Sequence, residues 1–183
     1  DAKEIQLLAN TGTWVSHQPR SNMNNAVGLP DVESMLNAGI QVCLGNDGFS
    51  NSMWQEWKAA YMGHKLMHRD PRRMTADKIA RMAIVNNRNL VKQLFNGLDI
   101  GRIARGAKAD LIFVDYKPFT DLIPANLPWH IIFGFRESMI TSTMVGGRFL
   151  MKDRELVQID ESSILKEAKK VSKYVWEKYH QMF

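Results

Sequence analysis

Two short polar segments carry residue types able to do chemistry. The first is Ser16-His17-Gln18-Pro19-Arg20-Ser21-Asn22-Met23. The second is Leu44-Gly45-Asn46-Asp47-Gly48. Asp47 is the leading candidate, because a carboxylate one turn beyond a buried strand can bind a metal, take a proton, or both. Its flanking glycines let the backbone turn sharply beside a ligand. The plain alternative is that Asp-Gly only makes a turn. His17 at a strand end could contact a ligand or brace a loop carbonyl. Ser21 and Asn22 could line a site or cap the loop they belong to.

The elements that must position these residues are legible from pattern. Thr13 to His17 is β-rich and ends before Pro19, which cannot donate to a ladder. Arg20 to Gly28 is polar, with three Asn, and is expected to be a loop. Pro30 to Ala38 reads as a helix with proline in its first turn and Gly39 as its stop. Ile40 to Leu44 is a continuous apolar run, as in a parallel strand buried on both faces. With a capped helix at Asp1-Ala2-Lys3-Glu4, residues 1–48 follow a helix–strand–helix–strand rhythm. In such sheets the active residues stand at the C-terminal ends of the strands, where His17 and Asp47 fall.

Helices are expected over roughly Met53 to Met67 and from Thr75 towards Phe95. Met53, Trp54, Trp57, Tyr61 and Met62 read as core. His64 and His68 stand four apart on one helix face. They lack the Glu of a zinc-protease motif and have Lys65 between them, so a solvated face is expected. Beyond Asn96, glycines and prolines punctuate short strands, with Gly146-Gly147 as a hairpin turn. Ser162 to Tyr179 has the apolar spacing of an amphipathic helix. The expected units are therefore 1–95, a parallel α/β part, 96–160, a small β region, and 161–183, a terminal helix.

Composition removes several classes. The net charge of +5 comes from 24 basic and 19 acidic residues that are interspersed, without a basic block carrying aromatics. Nucleic acid is therefore not an expected partner. No apolar run approaches ~20 residues, so no membrane span is expected. The single cysteine, Cys43, cannot form an internal disulfide and lies in an apolar run. It reads as a buried hydrophobe in a cytoplasmic protein. The chain opens at Asp1 directly into a helix, which suggests a cut from something longer.

The two polar segments together resemble a family. Ser16–Met23 resembles the H-x-P-x-S-N-M segment of metal-dependent amidohydrolases of the deaminase and chlorohydrolase type. Leu44–Gly48 resembles their L-G-T-D-G, with Asn46 in place of the usual threonine. Ile100 to Ile112 resembles their I-G-x-I-x-x-G-x-x-A-D-L-I, and Val145-Gly146-Gly147-Arg148 their C-terminal V-x-G-K hairpin. The resemblance implies the C-terminal part of a (β/α)8 barrel, its last two strands and helices, followed by a β-sandwich portion and a C-terminal helix.

It implies Asp47 as metal ligand and proton carrier, with His17, Ser21 and Asn22 lining the site. It also implies one divalent metal, zinc, with iron or manganese as alternatives. The family's H-x-H pair and further histidine ligands are not in this sequence, so the ligands would lie largely outside this chain. The expected activity is hydrolysis of a non-peptide C–N bond, as in deamination of a cyclic amidine or a purine- or pyrimidine-like small molecule. On this reading the chain alone is inactive, and two unpaired strand edges invite a homo-oligomer or the complementary N-terminal part. The alternative is a catalytically incomplete remnant, or an oligomerisation or scaffold module of the same fold.

Overall fold

The computed structural model describes all 183 residues. Helix α1 (Ala2–Thr11) begins with the expected capping box: the Asp1 carboxylate accepts from the Lys3 and Glu4 amides, and Glu4 reaches back. Gly12 ends the helix in the left-handed conformation, φ 64°, which costs a glycine little. Strand β1 (Val15–His17) follows, then helix α2 (Pro19–Asn24). Residues 20–28 are expected as loop, and the structure corrects this for 20–24. Pro19 sits at the first helical position, where its fixed φ suits a helix and its missing N–H is no loss.

Helix α3 (Val32–Asn37) begins two residues later than expected and ends one residue sooner. Asp31, not a residue within the helix's first turn, caps it by accepting from the Ser34 amide. Strand β2 (Val42–Leu44) is buried at every position. It pairs with β1 in parallel, Val15 opposite Val42 and His17 opposite Leu44. Helix α4 (Met53–His68) follows and packs against α2. Helix α5 (Ala76–Ala80), a π-helical turn (Arg81–Asn86) and helix α6 (Asn87–Leu94) together fill the one helix expected from Thr75.

One core holds these pieces. Val32, Ile40, Val42, Leu44, Trp57, Ala60, Met74, Ala76, Ile79 and Met82 pack together with Ile131 and Ile132. The last two come from helix α7 (Leu127–Phe133), which ties the later chain to the first part. Cys43 is buried as expected, and burial raises its thiol pKa.

The far edge of β2 is not bare. Gln41 and Gly45 face β1 through their backbone bonds. Val42 and Leu44 therefore present their polar groups to the other side. There the Asn87 amide accepts from the Leu44 N–H (3.1 Å) and donates to its carbonyl (2.9 Å), while Asn86 donates to the Val42 carbonyl (2.7 Å). The expectation of a fully unpaired edge is corrected on this side, because two asparagine side chains take the place of a neighbouring strand.

The later chain forms an antiparallel sheet in the order β3 (Leu111–Val114), β4 (Ile140–Val145), β5 (Arg148–Lys152), β6 (Glu155–Leu156). Gly146 and Gly147, both at positive φ, make the expected hairpin turn between β4 and β5. Helix α8 (Glu161–His180) has no buried residue. No helix is long and apolar enough to cross a membrane.

Candidate functional site

Parallel pairing of β1 and β2 sends both strand ends out on the same side. The Gly45 amide donates to the His17 carbonyl at 2.9 Å and keeps the two exits together. From β1 the chain turns into α2, which carries Ser21 and Asn22. From β2 it turns through Asp47, whose backbone is left-handed at φ 51°. Across the gap the Ser21 hydroxyl donates to Asp47 Oδ2 at 2.6 Å. Two motifs 26 residues apart thus meet through one short hydrogen bond to an ionisable group.

Asp47 is exposed and Ser21 is buried. The carboxylate is therefore held from below by the hydroxyl and open above. Asn46 shapes the turn from inside, its amide donating to the Phe49 and Ser50 carbonyls and to Asn51 Oδ1. Asparagine at this position holds the loop through its NH2 group. Asn22 is half-buried, and its side chain makes no hydrogen bond within the chain.

His17 has a different neighbour from those expected. It is 1% exposed, and its Nε2 lies 3.1 Å from Nε2 of His64, itself 0% exposed. This corrects the expected solvated face for His64. His68, one turn on, stacks at 6.2 Å from His64 and is half-buried. Burial is the main cause that lowers His17 to about 3, with His64 adding to it. Burial likewise lowers His64 to about 4, aided by His68 and opposed by Glu33 and Asp31. Both rings are neutral at pH 7, so one Nε2–H donates to the lone pair of the other. The Nδ1 atoms of both rings are buried without a partner.

Arg20 and Glu56 also join the site's frame, and sequence reasoning missed them. Glu56 is fully buried on α4 and receives both the side chain and the backbone N–H of Arg20. A charged residue between two tryptophans on an otherwise core-facing helix was the available signal.

A metal centre needs several converging donors. Catalytic zinc sites use about three protein ligands and a water. No three His, Cys, Asp or Glu side chains in this chain come together to hold an ion. The residues present fit a share of such a centre, the Asp47 carboxylate, and not a whole one.

The profile of the amidohydrolase family matches residues 1–150. The chain belongs to the amidohydrolase family. Among its amidohydrolase relatives, a 5'-deoxyadenosine deaminase of Methanosarcina mazei is 34% identical over 174 residues, covering 92% of this chain and 39% of that protein. A 5-methylthioadenosine/S-adenosylhomocysteine deaminase of Acetivibrio thermocellus is 34% identical over 177 residues, covering 94% and 40%.

Among solved structures, an adenosine deaminase from Xanthomonas campestris with bound zinc superposes with a TM-score of 0.81 at 23% identity, over 97% of this chain and 40% of that one. An atrazine chlorohydrolase from Arthrobacter aurescens complexed with zinc gives 0.73 at 20% identity, over 93% and 38%. The chain thus spans about 40% of the length of the amidohydrolases it matches.

Proposed function

We propose that this amidohydrolase chain is the aspartate-bearing C-terminal share of a metal-dependent aminohydrolase that deaminates an adenosine-like small molecule. In this reading β1 and β2 are the last two strands of a (β/α)8 barrel. The remaining ligands come from the rest of a longer polypeptide or from a partner chain. The observation that carries it is the Ser21–Asp47 hydrogen bond at the joined C-terminal ends of two parallel strands. The named activities of relatives 34% identical over nearly the whole chain support the substrate class.

Asp47 would hold the divalent ion, zinc by the precedent of the zinc-bound neighbours. When bound, the ion lowers the pKa of its water to about 7, so that a nucleophile is available at neutral pH. The rest is work for this chain's own atoms. The Asp47 carboxylate takes the proton of the attacking water and later hands it to the leaving amine. A C–O bond forms, the C–N bond breaks, and ammonia leaves. Ser21 donates to Oδ2 throughout, which fixes the rotation of the carboxylate and leaves its other oxygen free. His17, buried with His64, supports the floor of the site and does not meet the substrate. Asn22, with an uncommitted amide, is the residue of α2 available to a substrate.

The test is ammonia release from 5'-deoxyadenosine by the longer polypeptide loaded with zinc, with and without Asp47→Ala. Loss of its metal-binding and acid–base roles together is expected to lower kcat by roughly 10⁴-fold or more, at or beyond the top of the 10²–10⁴ that acid–base catalysis alone supplies. Retention of activity within tenfold sinks the assignment. The isolated 183-residue chain is expected to bind well under one zinc per chain. One zinc per chain, retained in Asp47→Ala, would point to a different centre. A second reading, a scaffold that keeps the fold without the chemistry, rests on the lack of three converging ligands. It predicts that the longer polypeptide is equally inactive with and without Asp47.

A further inference from the structure

Pairing of β1 and β2 registers the two strands only as far as Gly45. Beyond that point Ser21 and Asp47 ride on separate segments with no backbone hydrogen bond between them. Their 2.6 Å contact therefore needs another device to hold the segments in register. The residue next to Ser21 supplies it.

Arg20 is only 13% exposed along its side chain, and the Glu56 side chain is 0% exposed. The guanidinium Nε donates to Glu56 Oε1 at 2.6 Å. One terminal nitrogen donates to Ser50 Oγ at 3.2 Å and Gln55 Oε1 at 2.9 Å. The other donates to the Ser50 carbonyl at 2.7 Å and the Ser52 carbonyl at 3.4 Å. A guanidinium has five N–H donors, and here all five are taken by protein acceptors. The Arg20 backbone N–H completes the arrangement by donating to Glu56 Oε2 at 3.2 Å. The cation also lies 5.2 Å from the centre of the Phe49 ring.

One residue thus joins α2, the segment from Phe49 to Ser52 that follows Asp47, and the first turns of α4. We propose that Arg20, anchored by Glu56, is a positioning residue that sets the Asp47 carboxylate against Ser21. This rests on the proposed role of Asp47. Arg20 keeps no donor for a substrate, so it acts through the loop and not by contact. Lysine cannot replace it, since an ammonium offers three donors around a point and not a planar fork.

Arg20→Ala, Arg20→Lys and Ser21→Ala, each in the longer polypeptide, test the idea together with Asp47→Ala. A misplacement of about 1 Å can cost roughly a hundredfold in rate. Both Arg20 variants are expected to lose roughly 10- to 100-fold in kcat, with KM within about threefold of the parent. Arg20→Ala combined with Ser21→Ala should be little worse than the worse single variant, because both act on one contact.

In the 183-residue chain, hydrogen exchange at the amides of residues 46–52 should quicken in Arg20→Lys while Val42 and Cys43 stay protected. A raised KM at unchanged kcat would overturn the proposal in favour of substrate contact. Uniform loss of protection, β2 included, in both variants would overturn it in favour of general stability. Unaltered kcat in Arg20→Ala beside an inactive Asp47→Ala defeats the positioning role alone. An active Asp47→Ala defeats the function beneath it.

Discussion

Trp57 and Trp176 are the same residue in two regions of one chain, and their surroundings differ almost completely. Trp57, on α4, is 4% exposed within the core cluster. Trp176, on α8, is 59% exposed and touches only rings of its own helix, Tyr179 and His180. The first region, through α6, buries histidines and carboxylates and gives most of their polar atoms partners. The later sheet and α8 bury little beyond what α7 delivers to the shared core. Amphipathic spacing at residue 176 records that a face is apolar. Burial at residue 57 follows from partners far along the chain.

The largest expected effect falls on the buried member. Trp57→Ala should destabilise the chain by about 3–5 kcal/mol, the usual cost of deleting a buried large aromatic. Urea unfolding followed by circular dichroism would measure it. A cost below about 1 kcal/mol would mean that the region relaxes around the gap and lacks the rigid core described here.

The histidines sharpen the same contrast. His17 and His64 are held neutral, at about 3 and about 4, whereas a histidine in the unfolded chain titrates near 6.5. Above about pH 6.5 neither state gains a proton there, and their neutral burial is fully tolerated. As pH falls from about 6.5 towards 4, the unfolded chain takes up protons that the folded chain refuses. Stability therefore drops on acidification, by up to about 1.4 kcal/mol per pH unit for each such histidine. Urea unfolding at pH 7.5, 6 and 5 should display the loss. His64→Gln should make it shallower. Equal slopes in both proteins would remove the buried pair from the account.

The parts legible in sequence were those fixed by neighbours in the chain. The Asp1–Glu4 capping box, the Gly12 stop and the Gly146-Gly147 hairpin are set by residues within a few positions. The unbroken apolar run of Ile40 to Leu44 announced a strand covered on both faces. His17 and Asp47 were singled out because parallel strands place chemistry at their C-terminal ends, and the structure brings Ser21 and Asp47 into contact. What was not legible depends on long-range partners. His64 sits beside Lys65 and looked solvated until His17, 47 residues away, was found against it. The partner of Glu56, Arg20, is 36 residues away, and only the placement of a charge between two tryptophans hints at the pairing. Helix α2 was hidden by the three asparagines in and just after it, Asn22, Asn24 and Asn25, and only Pro19 hinted at it.

Trp176→Ala should have the smallest effect. The ring lies among helix neighbours at i+3 and i+4, and such pairs contribute about 0.2–0.5 kcal/mol. No residue of α8 is buried, so the substitution opens no cavity. The cost should therefore stay within about 0.5 kcal/mol, typical of surface changes. Urea unfolding at two protein concentrations, tenfold apart, measures it under the conditions that matter. A larger, concentration-dependent cost would mean that the apolar stripe of Ile164, Leu165, Val171, Val175 and Trp176 is covered by another chain in solution. The contrast between the two tryptophans would then belong to the single chain and vanish in the assembly. A small cost at both concentrations keeps α8 outside the cooperative unit and leaves the stability of the protein with the elements that carry Asp47.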